Sequence, residues 1–188
     1  ISVIKAMREC EIKNLMFASS SAVYGDFGEH AIREEDGPLL PISNYGAMKL
    51  ASEAAISAAA ESFFEQACIF RFPNVVGVPA THGVILDFVR KLKINPDKLE
   101  VLGNGTQRKS YLHLEDLIDA MIFVQKETSG LALYNIGPRD DGATVAYIAE
   151  QVVEQLAPGA KIAYGESNRG WNGDCLLYTS DAADEGLG

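Results

Sequence analysis

Residues 14–18 (NLMFA) form a short apolar run that ends in Ser19-Ser20-Ser21, the pattern of a buried strand entering a loop. The segment before it, residues 2–9, reads as a helix, and a polar stretch bearing Gly and Pro follows from 25 to 44. From 45 to 66 the residues are mostly Ala, Leu, Ile, Glu, Lys and Met without Pro, which predicts one long helix. Residues 67–72 predict a second apolar strand, closed by Pro73. Beyond it the pattern predicts an amphipathic helix at 84–92, a short strand at 99–102 and a turn at Gly103-Asn-Gly-Thr106. There follow a strand at 111–113, a helix at 115–126, a strand at 133–136, a helix at 144–156 and a strand at 161–164. Strands alternating with helices imply parallel pairing, so the fold class is α/β with a sheet covered on both faces. No internal repeat, low-complexity tract or clear linker interrupts this order.

Composition narrows the function classes. The chain has 188 residues, 47% of them apolar and 22% charged, with a net charge of −10. That is an ordinary globular composition, long enough to bury a sizeable core. No apolar run approaches the roughly eighteen residues of a membrane span, and the first residues carry no signal-peptide pattern. Neither a membrane nor a secreted location is therefore expected. The acidic balance argues against nucleic acid as a partner, because a duplex is held mainly through Lys and Arg on phosphates. Cys10, Cys68 and Cys175 form no CxxC pair, so no metal site or disulfide framework is expected, and a reducing cytoplasm is the expected compartment.

Both ends look unlike natural termini. The chain starts at Ile1 inside a helical pattern, so an upstream portion is expected. The segment Cys175-Leu-Leu-Tyr-Thr-Ser-Asp-Ala-Ala-Asp-Glu185 resembles the translation of a sequencing-library adapter, and residues 175–188 are expected to be non-native. Without their three acids the net charge moves from −10 to −7.

The chemistry-bearing residues lie around the first strand and the long helix. Tyr45 and Lys49 are spaced i, i+4, which puts phenol and ammonium on one helix face about a turn apart. A phenol ionises near pH 10, so a base of this kind needs a neighbouring cation to work near neutral pH. Ser20 lies at the carboxyl end of a predicted strand, where open α/β sheets bind ligands. Together the three supply a base, its activator and a hydroxyl that can relay a proton. The alternatives are an exposed helix pair and a turn-forming serine.

Four segments, Ser19-Ser-Ser-Ala-Val-Tyr-Gly25, Tyr45-xxx-Lys49, Arg71-Phe-Pro-Asn-Val-Val-Gly77 and Gly103-Asn-Gly-Thr-Gln-Arg-Lys-Ser-Tyr-Leu-His113, stand in a telling order and spacing. They resemble the extended short-chain dehydrogenase/reductases, and most closely the NAD-dependent sugar-nucleotide epimerase/dehydratase branch that includes the UDP-glucose 4-epimerases. The resemblance implies the later part of a Rossmann-type parallel sheet domain at 1–73, followed by a smaller α/β sugar-nucleotide-binding region at 74–174. Residues 111–136 would pack back on the first part.

By the same resemblance Ser20, Tyr45 and Lys49 are the catalytic triad, with Ser21 the alternative to Ser20 if the loop is one residue out of register. Tyr45 would take the proton of the sugar C4 hydroxyl as hydride passes to NAD, giving a keto sugar that is reduced again on its other face. Ser19, Tyr45, Lys49, Phe72 and Pro73 would contact NAD. Ser21, Asn74, Arg108, Lys109 and Arg169 would contact a nucleotide sugar, a UDP-sugar first of all. Arg108 and Lys109 remain alternatives for the diphosphate, since the family places Arg where Lys109 stands and Lys lacks the planar fork. Trp171 occupies the usual arginine place near the end, where Arg169 would substitute. His113 is expected to make a structural hydrogen bond, and Asp116 and Asp119 to form a solvated face. A homodimer is implied through the Ala-rich stretch 51–60.

Two features depart from the family pattern. The GxxGxxG turn that cradles the cofactor pyrophosphate and the acid that reads the adenosine ribose do not occur, so the segment alone is expected to be inactive. Ser21 and Ala22 stand where dehydratases of this kind place acids, which favours epimerisation. Dehydratase, reductase or decarboxylase chemistry and a non-catalytic NAD(P)-binding sensor are the alternatives.

Overall fold

The structure, a computed structural model, describes residues 1–26 and 32–168. Arg169, Trp171 and the expected non-native tail lie outside the described residues.

The chain begins with helix α1 (Ser2–Glu9) and strand β1 (Asn14–Ala18), followed by a 3-10 turn at Ser21–Val23. Helix α2 (Asn44–Ala60) leads to β2 (Gln66–Arg71). A short strand β3 (Asn74–Val76) precedes helix α3 (Val84–Ile94) and strand β4 (Lys98–Val101). Two short strands, β5 (Arg108–Lys109) and β6 (Tyr111–His113), run into helix α4 (Leu114–Glu127). The chain then forms β7 (Gly130–Asn135), β8 (Ala143–Thr144), α5 (Val145–Leu156) and β9 (Lys161–Tyr164).

β2 is central in a three-stranded parallel sheet of order β1-β2-β7. Its residues from Ala67 to Arg71 are all buried, as a strand covered on both faces requires. On one face Met7 of α1, Ile56 and Ala59 of α2 and Phe64 pack with Ala67 and Ile69 to make the first core. A second core joins α3, β4 and α5 through Phe88, Leu92, Leu99, Val101, Ile148, Ala149 and Val153. Its strands are parallel β4 and β9. Parallel β3 and β6 and antiparallel β5 and β8 form two smaller pairs.

The α/β class and parallel pairing of the main strands agree with the sequence pattern. The short strands β3, β5 and β8 went unpredicted, since two or three residues carry little of a period. The predicted helix at 45–66 stops at Ala60. There the N–H groups of Ser62 and Phe63 both donate to the Ala59 carbonyl, and Phe64 turns into the core. Helix propensity is a weak prior that burying an aromatic ring readily outweighs. At the other end of α2, the Ser43 hydroxyl caps the helix by accepting from the Gly46 N–H at 3.0 Å.

Leu99 is fully buried at the centre of the second core. Leu99→Ala is expected to lower stability by about 2–5 kcal/mol through lost burial and the cavity left behind, read as a lower urea midpoint with little change in slope.

Candidate active site

β1 and β2 end side by side, and the polar residues there sit on a buried charged network. Glu53 of α2 and Arg71 at the end of β2 are nearly inaccessible, and they form a forked ion pair with Arg71 Nη2 to Glu53 Oε2 at 2.6 Å and Nε to Oε1 at 3.0 Å. Arg71 Nη1 also donates to the Tyr24 hydroxyl at 2.8 Å, which in turn donates to Asn135 Oδ1 at 2.8 Å. The Ser19 hydroxyl donates to Glu53. Five residues from five places in the chain thus satisfy one another, with Ser19, Tyr24, Glu53 and Arg71 buried and Asn135 half-buried at the edge. Burial works against the charge of Arg71, yet its hydrogen bonds to Glu53 and Tyr24 leave its pKa above the ordinary value. Burial also pushes the Tyr24 phenol up, with Arg71 acting in the opposite direction.

Above this base lies a cleft of about 1130 Å³ between the two cores, lined among others by Ser20, Ser21, Tyr45, Phe72, Pro73, Asn74 and Lys109. Ser20 caps the 3-10 turn, its oxygen accepting from the Ala22 N–H at 3.2 Å. Tyr45, in the first turn of α2, is more than half exposed. Lys49 does not line the cleft but lies behind Tyr45. Its ammonium is 5.6 Å from the Tyr45 ring centre and donates to the Ala18 carbonyl at 2.6 Å, tying α2 to the end of β1.

Two glycines allow this close assembly. Gly46 is buried where α2 crosses the 3-10 turn, and a Cβ there would collide with the Ala22 carbonyl oxygen. Gly25 has φ of +83°, and a Cβ on it would strike the Leu40 carbonyl.

The remaining expected residues separate. Ser19, expected beside a cofactor, has its hydroxyl turned inward to Glu53, because its position at the strand end places it between the sheet and α2. Asn74 lines the cleft while donating to the Ser110 carbonyl at 3.3 Å. Of the two basic alternatives, Lys109 lines the cleft, whereas Arg108 donates to the carbonyls of Asp141 and Gly142 at 3.3 and 3.2 Å. Neighbours on a strand point to opposite faces, which decides between them. His113 caps α4, its Nδ1 accepting from the Glu115 N–H at 3.4 Å, so it makes the structural hydrogen bond expected of it. Asp116 and Asp119 are exposed.

Sequence reasoning gave no role to Glu53, Arg71, Tyr24 and Asn135. The signal for Glu53 was its place one turn beyond Lys49 on the face carrying Tyr45, and for Arg71 a charge closing an otherwise apolar strand. Among the described residues, no group of three or more His, Cys, Asp or Glu could hold a metal ion, and no helix is long and apolar enough to cross a membrane.

Comparison with known proteins places this geometry in context. The profile of the NAD dependent epimerase/dehydratase family matches residues 1–137. The chain is 32% identical over 158 residues to UDP-glucose 4-epimerase of Lactobacillus helveticus, covering 73% of this chain and 47% of that protein. It thus spans about half the length of the curated relatives it matches. A crystal structure of UDP-galactose 4-epimerase superposes with a TM-score of 0.84 at 35% identity, over 96% of this chain and 58% of the other. MoeE5 in complex with UDP-glucose and NAD superposes with a TM-score of 0.81 at 28% identity, over 97% of this chain and 60% of the other.

Removing one partner of a buried ion pair strands the other charge. Glu53→Ala is therefore expected to cost about 3–5 kcal/mol in urea unfolding, and the double change Glu53→Leu, Arg71→Met to recover most of it. Gly46→Ala is expected to cost about 1–3 kcal/mol by overpacking, and to shift the amide NMR signals of residues 20–22, as separation of α2 from that turn requires.

Proposed function

The chain belongs to the NAD dependent epimerase/dehydratase family, and from that premise we propose that it carries the acid–base and nucleotide-sugar half of a UDP-glucose 4-epimerase-like enzyme. The observation that carries this reading is the meeting of Ser20, Tyr45, Asn74 and Lys109 on one cleft of about 1130 Å³, large enough for a nucleotide sugar.

The residues present suit the nicotinamide end of the family's cofactor. The Phe72-Pro73 strip lines the cleft with Tyr45 and offers a flat apolar surface to a ring, and the Lys49 ammonium beside the phenol suits a ribose hydroxyl. Tyr45, Lys49, Phe72 and Pro73 would hold it. When bound, NAD supplies the acceptor and donor of hydride.

The chain's own residues then handle the proton. Tyr45, acting as its phenolate, accepts it from the C4 hydroxyl of the sugar and becomes the neutral phenol, and the nearby Lys49 ammonium offsets the negative charge of that phenolate. Ser20 accepts from the Ala22 N–H, which leaves its hydroxyl proton available to donate to the sugar oxygen. Lys109 faces the substrate diphosphate, and Asn74 donates to it after leaving the Ser110 carbonyl.

Epimerisation is favoured over dehydration by the acid content of the cleft. Ser21 and Ala22 follow Ser20, and among the described residues the acid lining the cleft is Asp87, paired with Lys91 at 2.7 Å. Expulsion of water needs an acid near Ser20. The same reading includes a cytoplasmic location and a homodimer, the dimer supported by the exposed α2 face that carries Met48, Ala51, Ala54 and Ala58.

The test joins this chain to the amino-terminal half of the Lactobacillus helveticus relative and assays UDP-galactose with NAD. The 188-residue chain alone is expected to show no turnover. In the joined protein Tyr45→Phe is expected to lower turnover by about 10²–10⁴-fold with UDP binding retained; undiminished turnover overturns the assignment of Tyr45.

A further inference from the structure

Among the described residues the Lys49 ammonium is held by a carbonyl and a ring rather than by an acid. It donates to the Ala18 carbonyl at 2.6 Å and lies 5.0 Å from the centre of the Phe17 ring, with the Tyr45 ring centre 5.6 Å away. Glu53, one turn farther along α2, stands at the spacing from which a carboxylate ordinarily pairs with a lysine. Its oxygens are instead bonded to Arg71 and Ser19.

That arrangement matters for the phenol. A carboxylate on Lys49 would cancel most of the positive charge that a Tyr45 phenolate needs beside it. An aromatic face attracts a cation through its quadrupole yet carries no net charge. The Phe17 ring can therefore fix the ammonium and leave its charge for Tyr45. Its place in the fold suits it to this. Phe17 and Ala18 are the last two residues of β1, and Phe17 packs with Leu15 against the core that α2 covers. The ring is thus itself held, and a lysine stem with several rotatable bonds gains order only from a fixed partner.

We propose that Phe17 is a positioning residue for the phenol and ammonium pair: the face of its ring keeps the Lys49 ammonium beside Tyr45. The role in turnover rests on the reading of Tyr45 as the base, while the hold on Lys49 rests on the geometry of β1 and α2.

The test is NMR relaxation of the lysine ε-methylene carbons in the 188-residue chain. The Lys49 carbon is expected to be more ordered than that of the exposed Lys126, and Phe17→Leu to bring it most of the way to the Lys126 level. Because the leucine variant also loosens the core, fluorinated phenylalanines at position 17, with one, two and five fluorines, serve as the second series. They nearly keep the shape of the ring while draining charge from its face, so Lys49 order is expected to fall stepwise, which a packing role alone would not produce. Order that stays level along that series overturns the hold. In the protein joined to the amino-terminal half of the Lactobacillus helveticus relative, Phe17→Leu is expected to lower kcat about three- to tenfold with the KM for UDP-galactose little changed, and Phe17→Tyr to keep the unsubstituted rate. A kcat that stays level while Lys49 loosens overturns the positioning role. No turnover in the unsubstituted joined protein overturns the epimerase reading, and the relaxation series then still decides the hold.

Discussion

The ion pair between Glu53 and Arg71 is the constraint on which the rest of the site depends. Two opposite charges out of water are stable only when both are paired and further hydrogen-bonded. Here Arg71 spends its donors on Glu53 and Tyr24, Glu53 also accepts from Ser19, and Tyr24 reaches Asn135 on the third strand. The network therefore sets the ends of three parallel strands and the crossing of α2 as one unit. Tyr45 and Lys49 are carried on that helix two turns and one turn before Glu53, and Ser20 directly follows Ser19. Ser20, Tyr45 and Lys49 are thus held by side chains that do not line the cleft, and the geometry of a site gains most from supports of that kind.

The cleft depends on a second division of labour. The apolar residues of the two cores bury themselves separately, one under β2 and one between α3, β4 and α5. What lies between them is reached by short extended segments whose alternate residues point inward. The segment from Gln107 to His113 does this over seven residues. Alternate residues of this segment, Gln107, Lys109, Tyr111 and His113, therefore line the cleft, while Ser110 and Leu112 on its other face stay buried. Arg108, one place from Lys109, is committed to backbone carbonyls around Gly142, so it stabilises the β5 and β8 pair and leaves the cleft to its neighbour.

The long helices and the buried strands were legible from the sequence because each spans several periods of its own pattern. α1, β1, β6 and β9 fall where the pattern put them, and α3, α4 and α5 differ by a residue or two at their ends. The strands β3, β5 and β8 were not legible, since two or three residues carry little pattern of their own and it is the pairing with β6 and with each other that marks them as strands. Within the site, Ser20, Tyr45 and Lys49 could be singled out by spacing because a helix turn and a strand end are local geometry. Glu53, Tyr24, Arg71 and Asn135 could not, because their meeting is made by the parallel pairing of β1, β2 and β7 and by α2 lying across it.

By itself, then, the order of residues determined the α/β class, the helix that carries phenol and ammonium on one face, and the four motifs on which the family rests, since all of these follow from repeats and spacings a few residues long. The tertiary structure alone decided that Ser19 faces inward while Ser20 faces the cleft, that Lys109 and not Arg108 lines it, and that the buried Gln107 amide there has no hydrogen-bond partner among the described residues. Those outcomes turn on which face of a strand is covered, and coverage is a property of how distant segments pack.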